Sequence, residues 1–205
     1  GHSDWSADGM QPHLADKMLE YLDENKDSDK PFFLYMALTA PHIPLFPSKE
    51  FKGKSKIGDY GDLVMMIDDI VGRVNRKLKE IGKYDNTIVM FAADNGCAGY
   101  INMDRINRKG HYPSYIYRGY KSHGWEGGHR IPFILSWGDR YGHVTDNSLV
   151  SLTDLYATFA DMLGYRIADD EAEDSFSFWP ILDGSGNAAR VKKYIEDGRS
   201  TPGAK

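Results

Sequence analysis

The apolar positions of this chain follow two periods, and the switches between them mark out its elements. Over residues 60–81, Leu63, Ile67, Ile70, Val71, Val74, Leu78 and Ile81 recur at three- and four-residue steps, while Arg73, Arg76, Lys77 and Lys79 lie off that stripe. This spacing predicts an amphipathic helix, and Gly82 supplies its stop. Residues 13–25 place Leu14, Met18, Tyr21 and Leu22 at helical spacing behind Pro12, which suits a first turn. A third helix opens at Ser151 and Asp154, a box-like capping pair. Its apolar face is Leu152, Leu155, Tyr156, Phe159, Met162 and Leu163, and it ends at Gly164. Three shorter runs, residues 31–38, 87–93 and 131–137, are apolar without helical periodicity and read as strands, the second buried on both faces. Pro132 is tolerable at a strand's beginning.

Strands alternating with helices predict an α/β domain whose mainly parallel sheet is flanked by helices. It spans residues 1–186, and a polar tail over 187–205 is expected to fray. The Gly- and Tyr-rich segment 96–130 is long for a loop, which points to function or to structure of its own. The acidic tract 169–174 reads as a solvated loop.

Composition narrows the functional classes. With 205 residues, 41% hydrophobic and 27% charged, the chain can build one globular core. A net charge of -5 argues against a nucleic-acid partner. No apolar run approaches the roughly 20 residues of a membrane span. Residues 1–5 lack the segments of a signal peptide, so they say nothing of compartment. The single cysteine, Cys97, excludes an intrachain disulfide framework and reads as a small residue packed behind a loop.

Chemistry concentrates in three loops. Asp94-Asn95-Gly96 follows the central run directly, which puts two oxygen donors at a strand's carboxyl end, where open α/β sheets hold their ligands. Such oxygens suit a hard cation, Ca²⁺ or Mg²⁺, although the tripeptide is also a good turn sequence. After the first run, His42 stands between Pro41 and Pro44, which stiffen its backbone. Before the third run, residues 118–130 bring Arg118, Lys121 and Arg130 among four glycines. Glu126 and Arg130 read as a pair that fixes this loop. His123 and His129 are closely spaced but lack further ligands for a transition metal. Tyr112, Tyr115, Tyr117 and Tyr120 suit either a sugar cleft or ordinary loop packing.

The ordered set is more specific than any member. Residues 31–35, then Ala40-Pro41-His42-Ile43-Pro44, Asp94-Asn95-Gly96, Arg118-Gly119-Tyr120-Lys121, Trp125-Glu126-Gly127-Gly128 and Arg130-Ile131-Pro132 resemble the type I sulfatases of the alkaline phosphatase-like superfamily. Residues 154–158 and 179–184 resemble the family's downstream elements. The resemblance implies the C-terminal part of a sulfatase catalytic domain over 1–186, with 187–205 beginning a further subdomain. It implies that Asp94 and Asn95 bind Ca²⁺, that His42 hydrogen-bonds the sulfate or leaving oxygen, and that Lys121 contacts the sulfate and assists the leaving group. It further implies a sulfated small molecule or carbohydrate as substrate, and a periplasmic or secreted location.

One departure limits what the chain should do alone. The family makes its formylglycine nucleophile from a Cys/Ser-x-Pro/Ala-x-Arg signature. Here Cys97 is followed by Ala98, Gly99, Tyr100 and Ile101, and the stretch from Ser200 has Ala204 where arginine is required. The chain therefore resembles the later portion of a sulfatase and is expected to be inactive by itself. A phosphate-ester or phosphonate hydrolase of the same superfamily, or a non-enzymatic anion- or partner-binding domain, remains an alternative reading.

Overall fold

The structure, a computed structural model, describes residues 6–186. The chain divides into two compact units, Gly1–Gly142 and His143–Lys205, so the span read as one domain over 1–186 comprises parts of both. The tail 187–205 lies outside the described residues.

In the first unit, α1 (Met10–Glu24) packs on α2 (Asp59–Glu80). Of the stripes read from the sequence, Leu63, Ile67, Ile70 and Leu78 on α2 and Met18 and Leu22 on α1 are buried, Val71, Val74, Ile81, Leu14 and Tyr21 are half-buried, and Met66 and Ala15 join the core beside them. Both helices fall within a few residues of their expected bounds, and α2 shows why. Gly82 adopts φ 69°, its N–H bonds Lys79 O at 3.1 Å, and Lys83 N–H bonds Leu78 O at 2.9 Å. These two bonds satisfy the last carbonyls of the helix and end it there.

Met36, Leu38 and Ala40 pack against the α1–α2 core, while Phe33 (74% exposed) and Tyr35 (80%) face away from it. Residues 31–38 thus alternate as a strand would, yet they form no ladder among the described residues. This corrects the expected first strand: the pleat is present, the hydrogen-bonded neighbour is not. Because Met36, Leu38 and Ala40 are tied to the helices, the His42 loop leaves from a fixed root.

The other two runs are strands: β1 (Ile88–Ala92) and β2 (Phe133–Trp137). They pair antiparallel, with Met90 opposite Leu135. The mainly parallel sheet expected from the sequence is therefore not what the described residues form; they contain one two-stranded antiparallel sheet. A parallel pair needs a crossover, usually a long helix. The connection here holds α3 (Met103–Arg108), α4 (Glu126–His129) and a 3₁₀ turn over Gly99–Ile101, with no long crossover helix among them. All five β1 residues are half-buried, so the expected burial of both faces is incomplete.

In the second unit, α5 (Asp154–Met162) ends at Gly164 through the same pair of bonds, Gly164 N–H to Asp161 O at 3.1 Å and Tyr165 N–H to Ala160 O at 2.8 Å. The fully buried Asp154 carboxylate accepts from Ser151 N–H at 2.8 Å and Phe176 N–H at 2.9 Å, which ties the residues before α6 (Trp179–Leu182) back to α5. Among the described residues no helix is long and apolar enough to cross a membrane.

Candidate functional site

Two of the three chemistry-bearing loops are joined through their backbones. Gly96 N–H donates to Gly128 O at 2.9 Å, and Lys121 N–H donates to Cys97 O at 2.9 Å. Within the second loop, Gly127 N–H bonds Arg118 O at 2.8 Å and Gly128 N–H bonds Trp125 O at 2.7 Å. Gly96, Gly127 and Gly128 are buried in this seam. A Cβ on Gly96 would fall on the Gly127 carbonyl oxygen, and one on Gly128 would fall on His123 O. The sequence places glycine here because the two chains approach closer than any side chain permits.

The seam ties the loop that carries Asp94 and Asn95, at the end of β1, to the loop that carries Lys121. Asp94 is exposed and takes no ion pair or hydrogen bond among the described residues. Asn95 is half-buried and its Nδ2–H donates to Gly96 O at 3.1 Å, which leaves Oδ1 as a free acceptor. The Lys121 ammonium likewise has no carboxylate partner among the described residues. An unspent carboxylate, an unspent amide oxygen and an unspent ammonium thus stand on loops that the seam joins. Asp94 and Asn95 fit a hard cation as two of its ligands. They do not make a shell alone, since Ca²⁺ takes six to eight oxygens, and no cluster of three or more His, Cys, Asp or Glu suited to a metal occurs among the described residues.

The third loop joins through a side chain. His42 is exposed, and both bonds before the flanking prolines, Ala40-Pro41 and Ile43-Pro44, are cis. Its Nδ1 lies 2.6 Å from Ile43 O, and its Nε2 lies 3.0 Å from the Tyr100 hydroxyl. Tyr100 follows Asp94 by six residues, so His42 reaches the Asp94 loop by way of Tyr100; no hydrogen bond links it to Lys121 among the described residues. Tyr100 also borders a cleft of about 360 Å³ lined by Asp59, Tyr60, Asn102 and Arg105.

The remaining candidates take structural places. Cys97 Sγ lies 3.5 Å from the Tyr60 hydroxyl, within hydrogen-bond reach, and burial pushes the thiol above its usual range. It is a packed residue, not a reactive one. Burial also pushes the Tyr60 phenol up. Arg130 pairs with Glu126 at 3.0 Å as expected, but in the open, where such a contact contributes little. Arg130 also lies 4.7 Å over the Tyr117 ring, and Arg118 lies 4.0 Å over Trp125. His123 stacks on Tyr120 at 4.2 Å, and His129 faces Glu126 at 3.5 Å, so the two histidines share no metal arrangement. Sequence reading missed Asp62. This carboxylate, fully buried, accepts from Gly53 N–H at 2.7 Å and Ser55 N–H at 2.5 Å and shapes the loop leading to the cleft. The signal was a charge on the apolar side of α2.

Fold and site together define an α/β domain with a loop-built site beyond the end of β1. The chain belongs to the sulfatase family, whose model matches residues 8–165. It is 33% identical to an N-acetylgalactosamine-6-O-sulfatase of Bacteroides thetaiotaomicron over 93% of this chain and 37% of that protein. To an arylsulfatase of Hemicentrotus pulcherrimus it is 34% identical, over 85% of this chain and 30% of the relative. A solved structure from work on the metabolism of multiple glycosaminoglycans by Bacteroides thetaiotaomicron superposes with TM-score 0.80 at 32% identity, over 89% of this chain and 38% of that one. The chain thus spans roughly a third of the relatives it matches.

Proposed function

We propose that this chain supplies one rim of the active site of a sulfuric ester hydrolase acting on a sulfated carbohydrate or aryl sulfate. The observation that carries the reading is the glycine seam, which unites the Asp94-Asn95 turn with the Lys121 loop while leaving the Asp94 carboxylate, Asn95 Oδ1 and the Lys121 ammonium unpaired. A carbohydrate substrate is supported by the relatives' names and by a structural neighbour, at TM-score 0.69 and 28% identity, solved in complex with a neocarrahexaose.

Each residue then has a task. Asp94 and Asn95 hold Ca²⁺, which when bound draws negative charge from the sulfuryl oxygens. Lys121 places its ammonium against the sulfate and gives a proton to the departing oxygen, whose developing charge it also offsets. His42 meets the same anion from the Pro-flanked loop. Residues 1–205 hold no Cys/Ser-x-Pro/Ala-x-Arg run, so on this reading they supply neither a formylglycine nucleophile nor a full set of metal ligands.

Asp94→Ala in the whole protein tests the reading. Calcium affinity should fall at least tenfold by calorimetry, and sulfate-ester turnover should fall with it. Unchanged affinity would remove Asp94 from the metal site, and turnover of phosphate esters in preference to sulfate esters would replace the reaction proposed.

A further inference from the structure

The cleft beside Tyr100 adjoins the joined loops but contains none of their charged groups. Its volume, about 360 Å³, falls within the roughly 300–1,000 Å³ of small-molecule sites. One wall is the start of α2, with Asp59 and Tyr60, and the other is the segment 100–106. The walls are fastened to each other: Lys109 Nζ donates to Lys56 O at 2.6 Å, and the Tyr60 and His111 rings lie 6.4 Å apart. Two contacts fix its place. The Tyr60 hydroxyl is 3.5 Å from Sγ of Cys97, whose carbonyl is the one that accepts from Lys121 N–H in the seam. The Tyr100 hydroxyl is 3.0 Å from His42 Nε2.

The polar groups of the cleft are complementary and unspent. Ionised Asp59 only accepts and Arg105 only donates. Arg105 lies near the start of α2, since a Cβ on Gly58 would stand 3.9 Å from its Nη2. Yet no ion pair joins Asp59 to Arg105, and neither charged group has another partner among the described residues. Asn102 Oδ1 accepts from Arg105 N–H at 3.4 Å, which leaves its amide N–H groups to donate. Tyr100 is 51% exposed, so much of its ring stays open, and buried Ile101 and Ile106 add apolar lining. This combination suits a pyranose. Each sugar hydroxyl both donates and accepts, so a vicinal pair fits between a carboxylate and a guanidinium, while the ring's C–H face lies on an aromatic surface. The Asp59 carboxylate opposes an anion there and the Arg105 guanidinium opposes a cation, which selects a neutral unit.

We propose that the cleft between the start of α2 and residues 100–106 is a second sugar subsite, taking the neutral saccharide unit next to the one that carries the sulfate ester. This rests on the reading of the chain as part of a sulfatase site. It narrows the substrate class to an oligosaccharide, in preference to a lone sulfated sugar or an aryl sulfate. Asp59 and Arg105 set that specificity and do not touch the reacting ester.

The test uses the whole protein with two esters, galactose 6-sulfate and lactose 6′-sulfate, which adds one neutral glucose to the same sulfated galactose. The ratio of kcat/KM, disaccharide over monosaccharide, should be about ten in wild type and near one in Arg105→Ala and Asp59→Ala, the effect of losing a hydrogen bond to a charged group. Neither charged group has a protein partner to lose, so both variants should melt close to wild type. Binding of unsulfated lactose, followed by saturation-transfer NMR and calorimetry, should weaken about tenfold in each variant. A wild-type ratio near one, a ratio the variants leave unchanged, or a wild-type protein that binds no lactose would overturn the proposal; the last is also the result if another stretch of the whole protein fills the cleft. If neither ester were hydrolysed while lactose binding still depended on Arg105, the subsite would stand and the sulfatase reading of the site would fall.

Discussion

Replacing Gly96 by alanine should be among the most damaging single-methyl changes available to this protein. Gly96 does not have positive φ, so its backbone suits alanine and the effect is one of space alone. The new Cβ would land on the Gly127 carbonyl oxygen, 2.9 Å from that residue's carbonyl carbon and 3.0 Å from the carbonyl carbon of Gly128. Carbon atoms prefer about 3.5–4.0 Å, so the seam must open by more than half an ångström against backbone on both sides. The 2.9 Å bond from Gly96 N–H to Gly128 O is then lost or stretched. Overpacking costs about 1–3 kcal/mol, and stranding a buried donor adds about 1–3 kcal/mol. Together these give roughly 2–6 kcal/mol, several times a typical surface substitution. Gly124→Ala is the matched control, since a Cβ there has no atom within 4 Å. Equilibrium urea unfolding should show a lower midpoint for Gly96→Ala with unchanged slope, and Gly124→Ala within about 0.5 kcal/mol of wild type. Equal midpoints for the two variants would refute the seam as the element that joins these loops.

Lys121→Ala should lower sulfate-ester kcat by about 10²–10³-fold, the usual cost of removing one electrostatic donor, with thermal stability unchanged because the ammonium has no partner to lose; wild-type kinetics would take Lys121 out of the site. Asp62→Ala should destabilise the protein by about 2–4 kcal/mol in chemical denaturation, since two hydrogen bonds to a buried carboxylate disappear, and a loss below about 0.5 kcal/mol would show that the loop over 53–55 holds its shape without it.

Much of this molecule is written locally, and that part is readable. The stripe on α2 and the glycine that ends it are both properties of neighbouring residues, and the helix closes one residue from where they put it. The same holds for the 87–93 and 131–137 runs, which become β1 and β2. What periodicity lacks is the identity of a distant neighbour. Residues 31–38 carry the alternation of a strand, but a ladder depends on a second segment that the pattern does not name. The antiparallel pairing of β1 with β2 is likewise decided by the path of the intervening 96–130 segment. Among the candidate residues, His42, Asp94, Asn95 and Lys121 stand out because polar groups at loop positions are conspicuous. Tyr100 does not, because its contact is with His42, 58 residues away.

The glycine seam also separates two kinds of information. Its bonds run from amide to carbonyl, so they are indifferent to which side chains stand at 94, 95 or 121. Side chains can therefore be exchanged at those positions while the backbone framework that presents them stays in place. Only at the three buried glycines does the framework constrain the choice of residue, and there it tolerates almost none.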